Sequence, residues 1–164
     1  MKGEKTRMVK NNLIKKILVP HDGSKYAKKA LDYAKDIAKK GDTKIFLLRV
    51  VDEHEYLHGV LLAEIEGDYT IKESIHKFIK AEVISQKKSL EKITHSKDNK
   101  SLKMNHHVIK GNVTESILQY SKAKEIDLII IGSQGLKGIE KVKALGSTSR
   151  KISELSKCPV MIIH

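Results

Sequence analysis

The sequence predicts a doubly wound α/β fold, a five-stranded parallel sheet flanked by helices on both faces and Rossmann-like in kind. Three observations lead there. Apolar runs such as Ile17-Leu18-Val19 and Leu128-Ile129-Ile130-Ile131 are continuous rather than alternating, as strands buried on both faces are. Segments with helical spacing of apolar residues separate those runs, and such alternation builds a parallel sheet. The chain has 164 residues, 40% hydrophobic and 32% charged, which suits one domain with a sizeable core.

Residues 1–12 are basic and are not followed by a long apolar stretch with a small-residue cleavage site. They read as a flexible leader ahead of a domain spanning 13–164. The first strand, Lys16 to Pro20, stops at a proline and the turn-and-cap cluster Asp22-Gly23-Ser24. From Ser24 the apolar positions Ala27, Ala30, Leu31, Ala34, Ile37 and Ala38 take helical spacing, with Gly41 placed to end the helix. Lys44 to Val51 is a second buried strand, and its crossover should be right-handed. Asp52 to Tyr69 mixes His54, Tyr56, His58 and leucines with acidic residues and two glycines. It reads as a connecting loop with some helical character, able to act as a flap. A long helix is expected from Thr70 to Thr94, then a polar turn and a third strand from Met104 to Ile109. Gly111-Asn112 leads into a helix carrying Val113, Ile117 and Leu118, and Asp127 to Ile131 is the fourth strand. After the glycine-bearing stretch 132–146, a helix from Ser147 to about Ser156 precedes the last strand, Pro159 to Ile163.

Composition narrows the function. The net charge is +12, from 32 Lys and Arg against 20 Asp and Glu. The lysines are scattered on polar helix faces (Lys28-Lys29, Lys39-Lys40, Lys87-Lys88), and there is no Trp and only two Phe to stack on bases. A solvated basic surface is the better reading, and nucleic acid is disfavoured as a partner. No apolar run approaches the roughly 20 residues of a transmembrane helix, so no membrane association is expected. The single cysteine, Cys158, permits neither an internal disulfide nor a Cys-pair metal site, and a cytoplasmic location is expected.

In an open parallel sheet, ligands sit beyond the carboxyl ends of the strands where the winding reverses. Pro20-His21-Asp22-Gly23-Ser24 follows the first strand there. Gly132-Ser133-Gln134-Gly135 follows the fourth, with Gly146-Ser147-Thr148 at the next helix start. Glycines admit a phosphate close to the backbone, and free amides of a first helical turn bind anions. Lys137, Lys141, Lys143 and Arg150 add positive charge nearby. Other nucleotide loops are absent: neither G-x-x-x-x-G-K-(S/T) nor G-x-G-x-x-G after the first strand occurs. No metal site is built. His106 and His107 are adjacent and on a strand face opposite ways, and His54 and His58 lack a third ligand. No G-x-S-x-G elbow or dedicated general base stands out, so no catalytic residue is assigned.

These residues resemble the universal stress protein family from about Ile14 to His164. The resemblance rests on Ile17 to Ser24, Asp127 to Gly135, Gly146-Ser147 and Cys158 to Ile163. It implies an adenine nucleotide alpha hydrolase-like fold and a regulatory or stress-response module that binds ATP or AMP, with Mg2+ as companion ion. At most it implies slow ATP hydrolysis. Asp22 would accept hydrogen bonds from the adenosine moiety, and Pro20, Val50 and Ile131 would line the adenine slot. Gly132, Gly135, Gly146, Ser147 and Thr148 would hold ribose and phosphates. ATP-binding members carry G-x2-G-x9-G-(S/T), whereas here ten residues separate Gly135 from Gly146. That extra residue favours the alternative of a stress-protein dimer that binds no ATP and acts through contacts with an unknown protein partner. A basic nucleic-acid-associated protein is a remoter alternative. The resemblance further implies a homodimer through the C-terminal strand.

Overall fold

The computed structural model describes residues 14–67, 69–136 and 145–164. Five strands form one parallel sheet: β1 Lys16–Pro20, β2 Lys44–Val51, β3 Lys103–Lys110, β4 Leu128–Gly132 and β5 Val160–Ile163. The helices between them are α1 Lys25–Lys39, α2 His54–Glu66, α3 Tyr69–Thr94, α4 Val113–Ala123 and α5 Ser147–Leu155. The sheet order is β3-β2-β1-β4-β5, with every pairing parallel. β1 pairs with β2 from Lys16↔Lys44 to Pro20↔Leu48 and with β4 at Ile17↔Leu128. The chain thus winds outward from β1 to β3 and then returns to β4, so the winding reverses between β1 and β4. The N-terminal leader expected over residues 1–12 lies outside the described residues.

Side chains of the central strands alternate between two cores. Ile17, Val19, Ile45, Leu47 and Ile130 pack under α1 and α3. Leu18, Phe46, Leu48, Ile129 and Ile131 pack under α4 and α5, where Ile117 and Ile152 are fully buried. Each such aliphatic residue removed from water contributes about 1.5–3 kcal/mol. Helix α1 lies close to the sheet because its inner face is mostly alanine: Ala27, Ala30, Ala34 and Ala38 with Leu31. It starts where Ser24 Oγ accepts the Ala27 amide at 3.1 Å, directly after Gly23 at φ +88°. It ends with Lys40 as the C-cap, so Gly41 directly follows the cap as expected.

The segment expected as a connecting loop with some helical character, 52–69, is mostly α2. No clean apolar stripe marks it: Leu57, Leu61, Leu62 and Ile65 are all exposed. Its helix is organised by α3. A side chain at Gly59 would meet Ile75 Cδ1 at 3.2 Å, and Tyr56 packs its ring 5.6 Å from that of Phe78. Among the described residues no helix is long and apolar enough to cross a membrane.

Candidate functional site

The carboxyl ends of β1, β2 and β4 open into a cavity of about 550 Å3. All nine sequence-selected residues line it: Pro20, Asp22, Val50, Ile131, Gly132, Gly135, Gly146, Ser147 and Thr148. Lys137, Lys141 and Lys143, with the longer part of the glycine loop, lie outside the described residues. The cavity straddles the sheet edge. Pro20, Val50, Ile131, Val113 and Ile117 make an apolar side toward α4, while Arg49, Tyr56 and Glu82 make a polar side toward α3.

Asp22 joins the two turns. Its Oδ1 accepts the Ser24 amide at 2.9 Å and its Oδ2 accepts the Leu136 amide, also at 2.9 Å. Burial would raise its pKa, but the Ser24 hydroxyl and amide, the Leu136 amide and the Arg49 charge outweigh it. The carboxyl therefore stays ionised well into acid. Gly135 sits against the same carboxylate: a Cβ there would lie 2.7 Å from Asp22 Oδ2. Gly132 serves packing as well as the cavity. A Cβ on it would lie 2.7 Å from the Tyr26 carbonyl carbon and 2.9 Å from the Ala27 nitrogen, so this glycine lets α1 close on β4.

The helix starts differ in a way that bears on ligands. Ser24 caps α1 and Asn112 caps α4, each through a side-chain oxygen. α5 begins on Gly146, an N-cap with no side chain to accept from the first turn. Gly146 is held instead from behind, its amide donating to Ser133 O at 2.8 Å, while Ser149 Oγ donates to Ser133 O at 2.9 Å. The amides of Ser147 and Thr148 therefore border the cavity with their hydrogen-bonding capacity unspent on a cap.

Sequence reasoning passed over His21, Arg49 and Glu82. His21 is 6% exposed and its Nε2 has no partner among the described residues. Burial, with Arg49 and Lys28 acting the same way and Asp22 opposing, lowers its pKa and keeps it neutral. Arg49 Nη1 donates to His21 O at 3.4 Å. Arg49 sits inside an apparently continuous apolar run, Ile45 to Val51, and Glu82 is one charge among many on a long helix. Nothing short of the three-dimensional packing brings them to the same wall. Asp22, Asp52 and Glu82 outnumber Arg49 among the described charged residues of the cavity. Among the described residues, backbone amides offer an anionic group more than side-chain charge does.

Comparison with known proteins agrees with this architecture. The family model described as "Universal stress protein family" matches residues 13–164. Universal stress protein YxiE of Bacillus subtilis is 32% identical over 155 residues, covering 93% of this chain and 100% of that protein. The solved structure of universal stress protein UspA from Lactobacillus plantarum superposes with a TM-score of 0.76 at 27% identity, covering 92% of this chain and 98% of that one. A family protein from Arabidopsis thaliana, solved with AMP bound, shares the fold at a TM-score of 0.51 and 17% identity, over 91% of this chain and 90% of that one.

Proposed function

The chain belongs to the universal stress protein family, and from that premise we propose that its crevice binds an adenine nucleotide, ATP or AMP, and that the protein is a regulatory stress-response module. One observation carries the reading: the first turn of α5, which has no N-cap side chain, borders a cavity that also has an apolar side. A flat base fits the side formed by Pro20, Val50 and Ile131, and a phosphate fits the amides of Ser147 and Thr148. The AMP carried by the Arabidopsis protein of the same fold supports this choice of ligand. Asp22 supplies an ionised acceptor and also fixes the Gly135–Leu136 turn. Because the described cavity carries more acidic than basic side chains, Mg2+ would serve as companion to a triphosphate, its charge offsetting that of the phosphates and of Asp22 and Asp52. We assign no general base for hydrolysis and take occupancy rather than turnover as the signal, acting on α2 and the glycine loop.

Calorimetric titration of ATP and AMP into wild type and Asp22→Ala tests this. At least a tenfold loss of affinity is expected in the variant, because one substitution removes an acceptor and frees the Leu136 amide. Equal affinity in both proteins, or no heat in either at millimolar nucleotide, rejects the site. We further propose that β5 pairs two copies, since it is the outer strand beyond β4 and Met161 is exposed on it.

A further inference from the structure

Helix α2 is apolar on two opposite sides. One side meets α3, where Tyr56 packs against Phe78 and Gly59 lies close to Ile75. Helical spacing turns Leu57, Leu61 and Ile65, one turn apart in succession, away from that contact, with Leu62 beside them. All four are exposed, and Ile65, at 74%, is the most exposed large hydrophobic residue among those described. Together they leave on the order of 400 Å2 of apolar surface in water, a patch of the size that marks functional sites. A helix apolar on both sides is one whose outer side is also covered when it works.

Charge says what covers it. The chain carries +12 overall, yet α2 alone among the five α-helices has no lysine or arginine, and it has three glutamates. Residues 54–82, from α2 into α3, hold six acidic residues against three lysines. Lysine is the residue that interfaces exclude from their centres, and α2 lacks it. Glu64 is exposed and already pairs with Lys72 of α3, so the rim accepts a cation. An apolar face in acidic surroundings is the complement of a basic amphipathic helix. Two other occupants fit less well. A second copy would set glutamate-bearing helices against each other, and an anionic lipid surface would draw the basic remainder of the chain rather than α2.

We propose that the outward face of α2 is a docking surface for a basic amphipathic helix of a partner protein. Leu57, Leu61, Leu62 and Ile65 take the apolar side of that helix, and the acidic residues around them take its lysines and arginines. The 13 residues of α2 span about 20 Å, so the docked segment needs three to four turns to cover it. Tyr56 lines the crevice from the other side of α2 and is not part of this face. Docking needs no nucleotide, so its failure leaves the nucleotide reading untouched.

The probe is a synthetic leucine–lysine peptide of about 18 residues with its leucines at helical spacing, titrated into the full chain by fluorescence anisotropy. A peptide of the same composition in scrambled order, and one with glutamate in place of lysine, are the comparisons. The probe should bind about tenfold or more tighter than either. Leu61→Asp combined with Ile65→Asp adds negative charge but removes apolar contact, and should weaken binding about tenfold or more with the far-UV circular dichroism unchanged. Leu57→Gln, a milder change, should weaken it about threefold, and Tyr33→Ser, at an exposed ring on α1, should leave it alone. Equal affinity for the scrambled or the glutamate peptide, tighter binding by the aspartate variant, unchanged binding by Leu57→Gln, or an equal loss in Tyr33→Ser overturns the proposal. So does a sedimentation mass that halves when the aspartates are introduced, because a second copy is then the occupant. Binding to phosphatidylserine vesicles that is lost in the aspartate variant overturns it in favour of a lipid surface.

Discussion

Replacing Ser147 by proline isolates the contribution of a single backbone amide at the mouth of the crevice. Ser147 is the first residue of α5, where proline is well accommodated because the missing N–H has no partner within the helix. The preceding residue must be extended to tolerate proline, and Gly146 already is, at φ −60° and ψ 153°. The fold should therefore survive, with Tm within a few degrees of wild type. What disappears is one donor to a bound phosphate. A hydrogen bond to a charged group contributes about 1.5–3 kcal/mol, so the affinity for AMP and ATP should fall roughly 10- to 150-fold. Adenosine, which carries no phosphate, should bind wild type and Ser147→Pro alike. Ser147→Ala keeps the amide and removes only the hydroxyl, so it should retain most of the affinity. Calorimetry on the three proteins with the three ligands is decisive. If adenosine loses as much as AMP, or AMP loses nothing, phosphate does not sit on α5 and the assignment of the crevice's two ends is wrong.

Other outcomes follow from packing and charge. Gly132→Ala drives a methyl into the α1 backbone, and overpacking of that kind should cost about 1–3 kcal/mol and lower Tm by about 2–12 °C in a thermal melt; an unchanged Tm would mean that α1 does not close on β4 as described. Asp22 has a depressed folded-state pKa, so its stabilisation is fully present above the unfolded value near 4 and is lost as pH falls through the lower folded value. Denaturant melts of wild type and Asp22→Asn should differ at pH 6 and converge toward pH 2, whereas a gap that widens on acidification contradicts the depressed pKa. In β5 the carbonyls of Pro159 and Ile163 accept from Ile129 and Ser133, which places the outward N–H groups on Val160 and Ile162. Ile162→Pro should therefore give a folded monomer by sedimentation while Met161→Pro damages the sheet itself; a dimer that persists in folded Ile162→Pro removes β5 as the interface.

The sequence by itself determined the strands, because residues such as Leu18 and Ile129 can be satisfied only by burial on both faces, and that continuity is written in the residue types. It also determined which turns meet at one edge, since a parallel sheet puts the ends of β1 and β4 side by side wherever the winding reverses. Helix α2 was illegible because its leucines do not form a core-facing stripe; the close approach of Gly59 to Ile75 is a fact about α3, not about the local chain. The second meaning of Asp22, a clamp on Leu136 as well as a turn former, spans 114 residues and has no local signature. The same holds for Arg49 beside His21. Local periodicity reports how much of a residue must leave water, but a polar side chain's partner is set by which elements pack together, and only the tertiary structure decides that.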